Sequence, residues 1–189
     1  MTINVANILT LSRLVLAPLF VALFVMGSRE PALIVFCIAG FTDLIDGTVA
    51  RLLEQPSKGG ALLDPLADKL LVESSFVMLL WSGLLPWWFF ALALTRDVMI
   101  VFGIIYLERV KAEFPYRPTW SSKLATLLQL AVAVLGLFLW WQPGISFSGM
   151  EVAALHRAII FAAALLIAIS GVQYVILGLR ILRKHKAKG

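Results

Sequence analysis

Four aspartates lie close together in a chain that is otherwise strongly apolar, at positions 43, 46, 64 and 68. Asp43 and Asp46 are three residues apart, and Asp64 and Asp68 are four apart, so each pair shares one face if its segment is helical. One Asp near the centre of a membrane helix costs about 2.5 to 3.5 kcal/mol, so four unpaired carboxylates would cost on the order of 10 kcal/mol. Helix packing alone is therefore a poor explanation for all four.

Carboxylates that converge repel one another unless they are protonated or bridged by cations. The connection EQPSKG between the segments that carry the two aspartate pairs is short. We therefore predict that these segments are antiparallel neighbouring helices and that both pairs converge near the connection. Hard oxygen ligands suit Mg²⁺, Mn²⁺ or Ca²⁺, and two divalent ions would cancel the formal charge of four aspartates. Because paired metal ions stabilise displacement at phosphorus, we predict a two-metal site for Mg²⁺ or Mn²⁺.

Small residues and one arginine accompany the aspartates. Gly47 and Ala50 follow the first pair, and Gly60 stands four residues before the second, which leaves room for a flat ligand near the backbone. Arg51 offers a planar fork of donors that suits phosphate. Close helix packing is an equally good reading of Gly47 or Gly60 taken alone.

The elements that position these residues are predicted to be membrane helices. The chain of 189 residues is 61% hydrophobic and 14% charged, as in integral membrane proteins. A span needs about 20 consecutive apolar residues. Six segments qualify: Ile8 to Met26, Ala32 to Leu53, Ala61 to Leu84, Trp87 to Leu107, Ser122 to Trp141 and Val152 to Leu179. We predict an all-α polytopic domain over residues 1–189, with a short amphipathic N-terminal segment, TINVANILTLSR, on the membrane surface.

Lysine and arginine are distributed unevenly among the connections between these segments. They occur in the second and fourth connections and in the tail RILRKHKAKG, whereas the first connection has Arg29 and the third and fifth have none. Cytoplasmic loops collect positive charge, so both termini and the active site are predicted to be cytoplasmic, at a bacterial inner membrane or a related organelle membrane. The net charge of +5 is explained by these loops and by anionic lipid headgroups, without nucleic acid.

The aspartates and their neighbours also form a spaced signature, D-x2-D-G-x2-A-R-x8-G-x3-D-x3-D. Its eight specified positions are Asp43, Asp46, Gly47, Ala50, Arg51, Gly60, Asp64 and Asp68. With this signature the chain resembles the CDP-alcohol phosphatidyltransferase family over essentially its whole length. The resemblance implies transfer of a phosphatidyl or other substituted phosphoryl group from a CDP-linked donor to an alcohol, with release of CMP.

The resemblance also implies a role for each aspartate. Asp43, Asp46 and Asp64 would hold one metal ion, and Asp43, Asp64 and Asp68 would contact a second. Asp68 would be the base that accepts the proton of the acceptor hydroxyl.

The remaining signature residues, together with one aspartate, would line the CDP site: Asp46, Gly47, Ala50, Arg51 and Gly60. Family members are commonly homodimers, and a homodimer is therefore the expected oligomeric state.

Positive residues elsewhere predict where an anionic acceptor binds. Arg96 lies inside the fourth segment, Arg117 precedes the fifth and Lys123 begins it. Arg96 could instead form a structural pair with Asp97 or with the carboxylates. Arg13 could contact a phosphate from the first segment, although snorkelling to lipid headgroups explains it equally well.

The identity of the acceptor is suggested by a narrower resemblance. The stretches FTDLIDGTVAR, ALLDPLADK, TRDVMI and RPTWSSKLATLLQL look most like the cardiolipin synthases of this family, which join CDP-diacylglycerol to phosphatidylglycerol. Phosphatidylglycerophosphate synthases, which use glycerol 3-phosphate, are also similar. We expect phosphatidylglycerol as the acceptor, with glycerol 3-phosphate as the alternative.

A divalent-cation transporter is the alternative of another class, because intramembrane carboxylates also mark ion paths. Transporters of that kind show inverted repeats and interrupted helices near the bilayer midplane. This sequence shows neither clearly, and its carboxylates gather toward one face, which favours the enzyme.

Overall fold

The computed structural model describes residues 5–52, 60–110, 119–147 and 150–186. Side chains are described there except at 5–13, 43–52, 60–68, 104, 108, 147, 150 and 184–186. The helices are α1 (Val5–Val25), α2 (Arg29–Leu52), α3 (Gly60–Trp81), α4 (Trp87–Arg109), α5 (Trp120–Trp141) and α6 (Val152–Lys186). A two-residue antiparallel pair, β1 (Ser146–Phe147) and β2 (Met150–Glu151), lies in the α5–α6 connection. The predicted all-α fold is confirmed.

Each predicted apolar segment coincides with one helix, and the ends differ by only a few residues. The largest difference is at the end of α6, which continues to Lys186, beyond the predicted Leu179. At the other end of the chain, α1 begins at Val5 and continues without a break into the first predicted span. No proline or glycine precedes Pro18 in this helix, so nothing in its sequence separates an amphipathic segment from the span.

Three helices of the described chain are long and apolar enough to cross a membrane: Trp87–Leu107, Trp120–Trp141 and Val152–Arg183. In α1, whose side chains are described only from Leu14, the helix is apolar from there to Val25. These helices, in a chain of this hydropathy, make the protein an integral membrane protein.

Local sequence explains where several helices end and begin. Gly27 has a φ of 74°, and the amide of Ser28 donates to the carbonyl of Leu23 at 2.9 Å, which is the hydrogen bond of a Schellman cap. Gly83, with a φ of 77°, ends α3 in the same way. Thr119 caps the start of α5, because its Oγ1 accepts a hydrogen bond from the backbone amide of Ser122 at 3.3 Å. Turn chemistry in the sequence therefore fixes these boundaries.

The chain forms two compact units. The first comprises Met1–Leu85 and Ala133–Ala153. In it α1 packs against both α2 and α3, and the rings of Phe20 and Phe36 meet at 5.5 Å. Phe24 stacks on Trp140 with ring centroids 3.8 Å apart, and the guanidinium of Arg29 lies 5.5 Å from the same indole.

The second unit comprises Pro86–Val132 and Ala154–Gly189. Trp88 of α4 stacks against Phe161 of α6 at 5.7 Å between ring centroids. Nε2 of the buried His156 lies 3.1 Å from the carbonyl oxygen of Val132, which joins α6 to α5. Aromatic stacking and the buried contact of His156 thus help to tie the helices of this unit together.

Candidate active site

The signature residues occupy the two helix ends on either side of the α2–α3 connection. Positions 43, 46, 47, 50 and 51 lie in the last turns of α2, and positions 60, 64 and 68 lie in the first turns of α3. Asp43 is nine residues from the end of α2 and Asp68 is eight residues from the start of α3, or about 14 and 12 Å along the helices. The backbone therefore places each pair one helical turn apart, as the spacing predicts.

The side chains of these eight signature residues, and that of Arg13, lie outside the described part of the structure. In the backbone, α2 and α3 contact each other at fewer positions than either contacts α1. α1 is therefore the neighbour that α2 and α3 share. Convergence of the four carboxylates stays a prediction.

Two hydroxyl groups near the signature donate hydrogen bonds within their own helices. Thr42 Oγ1 donates to the carbonyl of Ile38 at 2.6 Å, and the buried Ser75 Oγ donates to the carbonyl of Val72 at 2.6 Å. Among side chains that the structure describes, no group of three or more His, Cys, Asp or Glu could hold a metal ion. The aspartates of the signature thus have no competing metal cluster in the described part of the chain.

Arg96 of α4 is the centre of a buried polar cluster in the second unit. Its Nη1 donates to Oδ1 of Asp97 at 2.6 Å. Its Nη2 donates to Oγ of Ser170 in α6 at 3.1 Å and also to Oγ of Ser122 in α5. One guanidinium therefore links three helices, and we call these four residues the Arg96 cluster.

The partners of the Arg96 cluster offset the cost of burying a cation. Arg96 is only 6% exposed, and the side chain of Asp97 is 13% exposed. An arginine at the centre of a membrane helix costs about 2.5 to 3.5 kcal/mol, and a paired carboxylate with two hydroxyl acceptors reduces that cost. The contact with Asp97 is the structural alternative that the sequence left open, and acceptor binding by Arg96 stays a prediction.

The first turn of α5 continues the polar region beside the Arg96 cluster. Lys123 follows Ser122 directly, and its Nζ lies 5.4 Å from the ring centroid of the exposed Trp120. Ser121 Oγ donates to Oε1 of Gln173 in α6 at 2.6 Å. Arg96 and Lys123, both predicted from sequence, thus belong to the same end of the second unit. The third predicted residue, Arg117, lies outside the described residues.

Sequence reasoning missed the hydroxyl partners of Arg96. Ser122 and Ser170 are 26 and 74 residues from the arginine in the chain, and both are buried. The available signal was a serine inside each of two apolar segments, at SSK and ISGVQ. Small hydroxyl residues in membrane helices often mark contacts between helices, but they do not say with which residue.

Comparison with known proteins bears directly on the signature. The family model for CDP-alcohol phosphatidyltransferases matches residues 3–170. A probable phosphatidylglycerophosphate synthase of Mycobacterium tuberculosis is 40% identical over 185 residues, covering 94% of this chain and 82% of that protein. The CDP-diacylglycerol–glycerol-3-phosphate 3-phosphatidyltransferase of Escherichia coli is 33% identical over 180 residues, covering 92% of this chain and 94% of that protein.

Cardiolipin synthases are also similar, over a shorter region. The CMP-forming human enzyme is 34% identical over 150 residues, which covers 71% of this chain and 50% of that protein. The family model spans most of the chain and includes both helices that carry the signature. The relatives that this chain resembles are phosphatidyltransferases. This protein is therefore an enzyme of phospholipid biosynthesis and belongs to the CDP-alcohol phosphatidyltransferase family, as the eight-residue signature predicts.

Proposed function

We propose that this protein transfers the phosphatidyl group of CDP-diacylglycerol to glycerol 3-phosphate and releases CMP. The coverage of the relatives carries the choice of acceptor. The relative named as a probable phosphatidylglycerophosphate synthase matches 94% of this chain, and the relative named for glycerol 3-phosphate matches 92%. The human cardiolipin synthase matches 71% of the chain and half of its own length. This order reverses the expectation from the four short stretches, and phosphatidylglycerol becomes the second candidate.

In the proposed reaction the acceptor hydroxyl oxygen attacks the phosphorus that carries the diacylglycerol. The new P–O bond forms while the bond from that phosphorus to the oxygen of CMP breaks, and CMP leaves with the bonding electron pair. The hydroxyl proton passes to the carboxylate of Asp68. Gly47, Ala50 and Gly60 leave space for the nucleotide, and Arg51 binds its phosphate.

The chemistry of the donor set supports two Mg²⁺ or Mn²⁺ ions as cofactors. Asp43, Asp46, Asp64 and Asp68 would hold them, because carboxylate oxygens are the ligands these hard cations prefer. Bound ions would neutralise the pyrophosphate and stabilise the charge on departing CMP. The placement of each aspartate pair one turn apart in α2 and in α3 supports this assignment.

Helix lengths support six membrane spans within one domain over residues 1–189. α1, α2 and α3 have 21, 24 and 22 residues, so each is about 31 Å or longer, which matches a hydrocarbon core of about 30 Å. Both termini and the signature would then face the cytoplasm, where the positive connections lie. We also propose that the protein is a homodimer, the state common in this family.

The acceptor phosphate is proposed to bind at the polar end of the second unit. Lys123 is exposed there, and Arg117 precedes it in the chain. Arg96 would contribute through its charge, since two of its nitrogens already contact Asp97, Ser122 and Ser170. Arg13 is the proposed phosphate contact from α1.

The first test is an acceptor assay with purified protein, CDP-diacylglycerol and Mg²⁺. We expect CMP release with glycerol 3-phosphate and none with serine or inositol phosphate. Serine has no phosphate group, and inositol phosphate differs from glycerol 3-phosphate in shape. The measurement is CMP by chromatography and the lipid product by mass spectrometry. CMP release with phosphatidylglycerol alone would establish the second candidate, and no release with any acceptor would refute the proposed function.

A second prediction concerns the metal ions. Treatment with EDTA should lower the rate of CMP release by more than about a hundredfold, because several kcal/mol of transition-state stabilisation are removed. Addition of Mg²⁺ or Mn²⁺ should restore it. The control is a thermal melt in EDTA, which separates loss of cofactor from unfolding. Full activity in EDTA would contradict the two-metal proposal.

A further inference from the structure

Gln173 of α6 lies in the second unit, close in the chain to a residue of the Arg96 cluster. It is one turn beyond Ser170, whose hydroxyl group accepts a hydrogen bond from the buried Arg96. Residues 158–179 of α6 include three side chains with hydrogen-bonding groups, which are Ser170, Gln173 and Tyr174. Gln173 is exposed, so its amide is a polar group that this apolar stretch presents at the surface of the unit.

A chain of hydrogen bonds fixes the orientation of the Gln173 amide. Oγ1 of Thr119 accepts the backbone N–H of Ser122 at 3.3 Å and lies 3.1 Å from Oγ of Ser121. Ser121 donates its one hydroxyl hydrogen to Oε1 of Gln173 at 2.6 Å. Thr119 is therefore the donor in its contact with Ser121, and Oε1 is the amide atom of Gln173 that contacts α5.

The Nε2 group of Gln173 remains available to a ligand. A side-chain amide nitrogen carries two hydrogen atoms and only donates hydrogen bonds. Within the described ranges of the chain, neither hydrogen has an acceptor. The Ser121–Gln173 hydrogen bond therefore holds a pair of uncharged donors in one orientation at the surface of the second unit.

The neighbouring cations indicate which part of a ligand these donors would meet. Lys123 is two residues after Ser121, and Arg96 contacts Ser122, so both cations belong to the same end of the second unit. A phosphate group binds preferentially to such cations, because hydrogen bonds between ionised groups are about twice as strong as uncharged ones. The amide donors of Gln173 match an uncharged oxygen of the same ligand, such as that of a hydroxyl group.

Both candidate acceptors carry a hydroxyl group of this kind. Glycerol 3-phosphate has a primary hydroxyl group, which would attack the donor, and a secondary hydroxyl group on the adjacent carbon. The glycerol headgroup of phosphatidylglycerol has the same pair. The carbon with the secondary hydroxyl group lies between the reacting end and the phosphate. A protein that holds the secondary hydroxyl group and the phosphate therefore also orients the primary hydroxyl group.

From these observations we infer that Gln173 donates a hydrogen bond from Nε2 to the secondary hydroxyl group of a glycerol acceptor, and so selects acceptors that contain glycerol. The inference rests on the proposed function, because it requires the acceptor phosphate to bind at this end of the second unit. Gln173 contacts the substrate in this arrangement, whereas Ser121 acts through Gln173 as a positioning residue.

The test compares sn-glycerol 3-phosphate with 3-hydroxypropyl phosphate, which lacks only the secondary hydroxyl group. The full-length enzyme is assayed with CDP-diacylglycerol and Mg²⁺, and kcat/KM for CMP release is measured with each acceptor. We expect the wild type to prefer glycerol 3-phosphate by about 3- to 10-fold, the effect of one uncharged hydrogen bond. Gln173→Leu should lower that preference to less than about twofold, because leucine has a similar size but no donor. If phosphatidylglycerol is the acceptor, the same comparison uses phosphatidylpropanediol.

Two variants separate substrate binding from a structural role of the Ser121–Gln173 hydrogen bond. Ser121→Ala removes the same contact between α5 and α6 but keeps the amide, so it should keep part of the preference for glycerol 3-phosphate. Tyr174→Phe is the matched control and should keep the full preference. It removes the neighbouring polar group of α6, which lines a groove with Met99 and Gly103 of α4. A thermal melt of each variant shows that it is folded.

The outcomes separate this inference from the proposed function. A wild type without the preference, or a Gln173→Leu variant that retains it, would overturn the inference even though the enzyme is active. Equal loss of kcat/KM for both acceptors in Gln173→Leu and Ser121→Ala would also overturn it and would assign the pair to helix packing. No CMP release by the wild type with any glycerol acceptor would refute the proposed function, and the inference with it.

Discussion

Asp68→Asn is expected to lower the rate of CMP release by about 10²- to 10⁴-fold, the range that a positioned general base contributes. The amide has nearly the same size as the carboxylate, so the variant should fold normally. The amide of the asparagine cannot accept the proton of the acceptor hydroxyl at neutral pH. The measurement is kcat for CMP release at saturating donor and acceptor.

Metal concentration separates the proposed role of Asp68 as a base from a role in metal binding alone. If it is the base, raising Mg²⁺ or Mn²⁺ should leave kcat low. Asp46→Asn, which is proposed to remove a metal ligand that also lines the CDP site but not the base, should recover much of its kcat at high metal and donor concentrations. Glu151→Gln is the matched control, since it removes an exposed carboxylate from the α5–α6 connection. Rescue of Asp68→Asn by excess metal would assign that residue to metal binding and leave the base elsewhere.

Arg96→Met is expected to destabilise the protein by about 1 to 3 kcal/mol, because it removes a buried donor from the part-buried carboxylate of Asp97 and from two buried hydroxyl groups. The same change removes the donor that Ser122 and Ser170 share, so three helices lose a common partner. The measurement is thermal unfolding in detergent, with Arg157→Met as the control, because Arg157 is exposed on α6 in the same unit.

A double-mutant cycle tests whether the effect arises from the ion pair. Arg96→Met combined with Asp97→Asn should cost less than the sum of the two single changes, since the two side chains contact each other directly at 2.6 Å. The KM for the acceptor in Ser122→Ala and Ser170→Ala should stay near the wild-type value, because the charge of Arg96 remains. Unchanged stability in Arg96→Met with a large rise in that KM would make Arg96 an acceptor ligand and not a structural residue.

The sequence was sufficient to predict the helices and the signature. Hydropathy runs determine six helices, and Gly27, Gly83 and Thr119 act within a few residues of the boundaries that they set. The spacing of Asp43, Asp46, Asp64 and Asp68 predicts that each pair shares one helix face, because helix periodicity converts spacing into shared faces without reference to the rest of the chain. The signature that contains them resembles that of the family whose model matches the chain. These features depend on residues that are close in sequence, and so they can be predicted from the sequence alone.

Only the tertiary structure decided which helices meet and through which residues. The partners of Arg96 on α5 and α6 and the hydrogen bond between Ser121 and Gln173 could not be read from the pattern of residues. In a soluble protein an apolar stripe marks the buried face, but these helices are apolar on nearly every side, so hydropathy does not distinguish a face toward lipid from a face toward another helix. Packing and a few polar contacts between distant residues make that distinction.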